Sequence, residues 1–129
     1  MAMLLETVQP LDSKDAPSLA PDDRPIDLVH LARTTLGDRA LEREVLHLFE
    51  RQSSILIARM RTVPPAGVAA LAHTLKGSAR GIGAWRVARA AEVLELAGAA
   101  GDPTAEALDC LSAASDEACA VIADLLRTN

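Results

Sequence analysis

The spacing of the apolar residues constrains the fold most: they return every three or four positions through four long segments separated by proline and glycine. That period matches 3.6 residues per turn and lays one stripe along each helix. From Arg39 to Arg61 the stripe is Leu41, Val45, Leu48, Phe49, Gln52, Leu56 and Met60, and Thr62-Val63-Pro64-Pro65 breaks it. The next helix is expected from Pro65, where a first-turn proline is tolerated, to about Arg80 or Gly81. Val68, Leu71, Ala72, Leu75 and Ala79 are its inward residues, and Gly81 and Gly83 mark a turn. A further helix covers Ala84 to Ala97 on Ala84, Val87, Ala88, Ala91 and Leu94, with Gly98 and Gly101 loosening the link after it. Asp102-Pro103 reads as a cap and a first-turn proline. They open a last helix to Leu126 on Ala107, Leu108, Leu111, Ala114, Ala118, Val121, Ile122 and Leu125. A shorter helix is expected first, at Ile26 to Leu36, capped by Asp27 and striped by Leu28, Leu31, Ala32 and Leu36; Gly37 ends it and Asp38 caps its successor.

Strand formers are scarce: there is no Tyr, one Phe and one Trp. The expected fold is therefore all-α, an antiparallel four-helix bundle with an additional short N-terminal helix over one end. The bundle is expected to occupy residues 25–129. Residues 1–24, with Pro10, Pro17, Pro21 and several aspartates, read as a flexible tail. No run approaches the ~20 apolar residues of a membrane span, and the first residues lack the basic flank of a secretory signal, so a cytoplasmic protein is expected. Cys110 and Cys119 fall on opposite faces of one helix, roughly 13 Å apart along its axis. A disulfide needs Cα atoms within about 7 Å, so they are expected as small buried thiols in a reducing compartment.

Charge is unevenly distributed. The segment from Arg51 to Ala91 holds seven cations, Arg51, Arg59, Arg61, Lys76, Arg80, Arg86 and Arg89, and all 18 carboxylates of this net −5 chain lie outside it. Such a block suits an acidic partner surface or a phosphoryl group. Within it, helical rotation turns His73, Lys76, Gly77 and Arg80 away from the Leu71, Leu75, Ala79 stripe. A surface imidazole is mostly neutral at cell pH and can attack a phosphoryl donor in line, with Nε2 at the ring tip as the nucleophile. Lys76 offers a cation for phosphoryl oxygens. Gly77 costs about 1 kcal/mol relative to Ala in a helix interior, and off the apolar stripe its use is close approach by a partner.

The run His73-Thr74-Leu75-Lys76-Gly77-Ser78-Ala79 resembles the central motif of the histidine-containing phosphotransfer (HPt) family. Gly83-Ala84-Trp85-Arg86-Val87-Ala88 and Leu94-Glu95 are similar to that family's next helix, and Ile26-Asp27 with Gly37-Asp38 to its opening helices. The likeness runs from about Ile26 to Leu126. It implies a phosphorelay intermediate of two-component signal transduction, with His73 as phosphoacceptor between aspartates of receiver domains, and Lys76 and Gly77 supporting the phosphoryl site. It implies receiver domains of response regulators as partners, with Mg²⁺ on their side only, and a hybrid or membrane histidine kinase upstream. Docking is expected on the exposed side of the third long helix, at Ala69, Ala70, Thr74, Lys76, Gly77 and Arg80. Arg80-Gly81-Ile82 departs from the usual pattern by its basicity.

Other chemistry is poorly served. His30 and His47 make no spaced ligand set, so neither a metal nor another cofactor is expected. Gly77-x-x-x-Gly81-x-Gly83 follows no strand and is no nucleotide fingerprint. With no ATP-binding lobe, the chain is expected to act stoichiometrically, as a carrier and not an enzyme. Trp85 is expected to pad the bundle end. The competing class is a helical adaptor that binds a receiver or histidine kinase without being phosphorylated. Nucleic-acid binding is disfavoured by overall acidity and by the lack of aromatic residues among the basic ones. One clean stripe per helix calls for nothing beyond a monomer.

Overall fold

A computed structural model describes residues 24–128; the expected tail, up to its last residue, lies outside them. The described chain forms five helices: α1 (Leu28–Thr34), α2 (Arg39–Met60), α3 (Pro65–Ile82), α4 (Trp85–Ala100) and α5 (Ala105–Thr128). The four long helices close a ring, with α2 on α3, α3 on α4, α4 on α5 and α5 back on α2, while α1 lies against α3. Short connections make sequential neighbours antiparallel, so the fold is the expected all-α bundle with an extra short helix.

Local chemistry sets the helix ends. Asp27 Oδ1 accepts the His30 amide at 3.0 Å and starts α1, and Asp38 Oδ1 accepts the Leu41 amide at 3.0 Å and starts α2. Pro65 occupies the first position of α3. Gly83, at φ 77°, stops that helix, with the Ala84 amide donating to Ala79 O at 2.8 Å. Gly101, at φ 76°, stops α4 in the same way, and the Asp102 amide donates to Ala97 O at 2.9 Å. Asp102 therefore belongs to the end of α4, and α5 begins only at Ala105 and not at Pro103.

The core lies between all five helices and contains Leu31 of α1, Leu46, Phe49 and Met60 of α2, Val68 and Leu75 of α3, Val87 and Leu94 of α4, and Leu111 and Ile122 of α5. Each such side chain contributes about 1.5–3 kcal/mol by leaving water. Three stripes were read correctly, those of α3, α4 and α5. On α1 only Leu31 is buried; Leu28 and Ala32 are exposed, and Leu36, 91% exposed, has left the helix at φ 56°. The buried face of α2 is rotated from the expected one, to Leu46, Phe49, Ser53, Leu56, Ile57 and Met60, leaving Leu41 and Leu48 at the surface. The observed face shares Phe49, Leu56 and Met60 with the expected one, and it presents the small Ser53 to Cys119 of α5, Oγ to Sγ 3.7 Å. Cys119 is half-buried and Cys110 exposed, so neither is the fully buried thiol expected.

Glycines were also misread. Gly81 lies inside α3, which continues to a buried Ile82. Gly98 lies inside α4 and is buried. A Cβ there would come within 2.6 Å of Pro65 O and 3.1 Å of Ala69 N, so its missing side chain brings α4 against α3.

Candidate functional site: an exposed histidine backed by a carboxylate

The close α3–α4 contact creates the site. Ala69, Ala72 and Ala79 on α3 and Ala88 and Ala91 on α4 keep the two helices near each other, as does Gly98. Polar residues at the edge of this seam then reach across it. His73 stands on α3 with its side chain 66% exposed. Its Nδ1 lies 2.8 Å from Oε2 of Glu95 on α4. The other oxygen, Oε1, is 2.7 Å from Lys76 Nζ. Glu95 is therefore held between an imidazole and an ammonium one helical turn apart.

The protonation states follow from this geometry. Lys76 first, and the His73 ring second, hold the Glu95 carboxyl below its usual range, against a weaker upward effect of burial. A carboxylate only accepts, so His73 Nδ1 donates and carries the proton. In the neutral ring the lone pair then belongs to Nε2, the atom facing away from Glu95. A ring in this tautomer has a lone pair capable of nucleophilic attack on the nitrogen that Glu95 does not engage.

Around the ring, α3 presents Ala70, Thr74, Gly77 and Arg80 to solvent. Thr74 Oγ1 donates to Ala70 O at 3.3 Å and so turns back onto its own helix. No heavy atom lies within 4 Å of a Cβ placed on Gly77, so packing inside the protein does not require glycine there. Arg80 pairs with Glu92 of α4 at 3.7 Å, one step further along the seam. Two of the expected docking residues sit differently from their neighbours. Ala69 is half-buried against Gly98, and the Lys76 side chain is only 14% exposed and turned to Glu95. On the other flank Ser78 Oγ donates to Gln52 Oε1 of α2 at 2.7 Å and ties α3 to that helix.

Glu95 is not among the expected site residues, although Leu94-Glu95 belongs to the run that resembles the family's next helix. Distance from the turn does not single it out: counted from Gly83, Glu92 at nine residues matches His73 at ten better than Glu95 at twelve, yet Glu92 pairs with Arg80, and Glu95 with His73 and Lys76.

The matching model is that of the Hpt domain, over residues 44–127. The chain belongs to the Hpt domain family. Comparison with the curated proteins and with the solved structures gives no significant match. Hpt domains carry phosphoryl groups in two-component signalling, are not themselves kinases, and interact with receiver domains and histidine kinases. The matched stretch of this Hpt domain contains His73, Lys76 and Glu95, and excludes α1 and the first turn of α2.

The remaining histidines have other surroundings. His30 Nε2 lies 2.9 Å from Arg80 O and, since a carbonyl only accepts, donates to it. Its ring packs on Trp85 at 4.8 Å between centroids, and Trp85 Nε1 donates to Asp27 Oδ2 at 2.9 Å. Together with the Asp27 amide on Gly83 O at 2.9 Å, these bonds seat α1 on the α3–α4 turn, so Trp85 does pack the bundle end. His47 is exposed, with Nδ1 3.9 Å from Glu50. The basic block finds its acids across helices: Arg61 meets Asp109 at 3.6 Å and Arg86 meets Glu117 at 3.5 Å. No helix among the described residues is long and apolar enough to cross a membrane.

Proposed function

We propose that His73 is the phosphoacceptor of a relay between receiver aspartates. The observation that carries this reading is the exposed ring with Nδ1 engaged by Glu95 and Nε2 directed away from it. Nε2 attacks the phosphorus of an aspartyl phosphate in line. The new N–P bond forms as the P–O bond to the aspartate breaks, and the aspartate leaves as a carboxylate. The ring keeps its Nδ1 proton and gains positive charge, which the Glu95 carboxylate compensates. The reverse sequence delivers the group to a second receiver. Positioning and charge compensation are what phosphoryl transfer chiefly requires.

In this reading Lys76 supports the site through Glu95, keeping that carboxylate ionised and in place. Gly77 leaves room for the partner's loop. The partner docks over Ala70, Thr74, Gly77 and Arg80 and supplies the Mg²⁺ with its own acidic pocket. The relay unit is the bundle of residues 25–129, working as a monomer in the cytoplasm, downstream of a hybrid or membrane histidine kinase. Transient contacts of this kind are small and salt-sensitive.

The test is transfer from a phosphorylated receiver. The chain should acquire an acid-labile, alkali-stable label, and His73→Gln should acquire none while keeping its helical circular dichroism. Full labelling of that variant would sink the assignment.

A further inference from the structure

Beside α1 lies a groove of ≈ 950 Å³ that the relay reading does not use. Leu28, Val29 and Trp85 give it apolar surface. Four guanidinium groups line it as well, Arg24, Arg33, Arg80 and Arg89, from the chain before α1, from α1 itself, from α3 and from α4. Two carboxylates, Asp27 and Glu92, line it with them. Asp27 accepts from Trp85 Nε1 and from the His30 amide, and Glu92 pairs with Arg80. The groove is therefore apolar and cationic, and it suits an extended occupant that is apolar and acidic.

We propose that this occupant is the chain's own segment of residues 1–23. That segment carries Glu6, Asp12, Asp15, Asp22 and Asp23 against one cation, Lys14, and interleaves them with leucines. It joins the described chain at Arg24, which lines the groove, and Asp22 and Asp23 directly precede that residue in the sequence. Attachment in the same molecule gives the segment an effective concentration on the order of mM, so modest contacts suffice. The docking does not depend on the relay reading.

Trp85, the single tryptophan, reports occupancy directly. The full-length chain is compared with a charge-reversed form carrying Asp12→Lys, Asp15→Lys, Asp22→Lys and Asp23→Lys, with circular dichroism verifying its fold. At low salt, acrylamide should quench Trp85 roughly half as strongly in the native chain. Raising salt from about 0.05 M to about 1 M shrinks the Debye length to ~3 Å and should bring the native chain to the level of the variant. Adding Arg33→Glu to the reversed chain should restore protection. Equal quenching of the native and reversed chains at low salt overturns the proposal. So does protection that fades on dilution, which would assign the groove to a second copy's segment. Neither readout involves phosphorylation, so a failure here leaves the assignment of His73 to its own test.

Discussion

Replacing Gly77 with alanine should make this protein more stable and a poorer relay. A glycine inside α3 costs roughly 1 kcal/mol relative to alanine, because it surrenders more backbone freedom on folding. The usual compensation is a close contact, but the space where its Cβ would stand is empty to 4 Å. Gly77→Ala therefore meets no clash and should gain about 0.5–1 kcal/mol. For a bundle of this size that raises Tm by about 2–8 °C. On the functional side the added methyl stands on the exposed face one turn from His73. In-line transfer tolerates little displacement, about a hundredfold in rate for 1 Å. A single methyl, which a partner loop can partly accommodate, should slow transfer by about tenfold, and Gly77→Gln should slow it further. Thermal melts followed by circular dichroism and single-turnover transfer from a phosphorylated receiver measure the two effects. A lower Tm for Gly77→Ala would show that packing requires this glycine. Unchanged transfer in both variants would remove the access argument.

Gly98→Ala should do the opposite to stability. Its Cβ would fall 2.6 Å from Pro65 O, a backbone atom that cannot rotate aside, so overpacking of about 1–3 kcal/mol should outweigh the helix-propensity gain of about 1 kcal/mol and lower Tm. Glu95 makes stability depend on pH in a defined direction. Its folded pKa lies below the ordinary 4.5, so its contribution is complete above that pH and disappears as pH falls through the folded value. Urea midpoints of the native chain and Glu95→Gln should therefore converge below pH 4.5, and midpoints that stay equally far apart would mean that the carboxylate's charge is not what stabilises the seam.

The sequence made the fold class, the four long helices and the exposure of His73 legible, because each follows from a 3.6-residue period or from a single break. It gave less on α2, where apolar residues cover more than one face: Leu41 and Leu48 fit the period but lie at the surface, while Leu46 and Ile57 are buried in the core. It misplaced Gly98 because a glycine near a helix end looks the same in sequence whether it loosens a link or admits a neighbouring helix. Asp102 was misassigned for a similar reason: its amide completes α4, whereas its place before Pro103 suggests the start of α5. At the site, Gly77 was legible from its odd position, and Lys76 from its spacing. Its partner was not, because periodicity describes one helix at a time and Glu95 meets His73 only when two helices are folded against each other.

The closeness of His73, Lys76 and Glu95 along the chain has a consequence of its own. All three come from a single helical hairpin, α3 and α4, whose turn is fixed by Gly83 and whose seam is lined by alanines and Gly98. The imidazole and its carboxylate thus need only short-range chain closure to find each other, with no long loop to shut first. Fraying of α1, or of the far end of α5, leaves the ring's proton where it is. The hydrogen bond between ring and carboxylate is thus insulated from α1 and α5, neither of which contributes a residue to it.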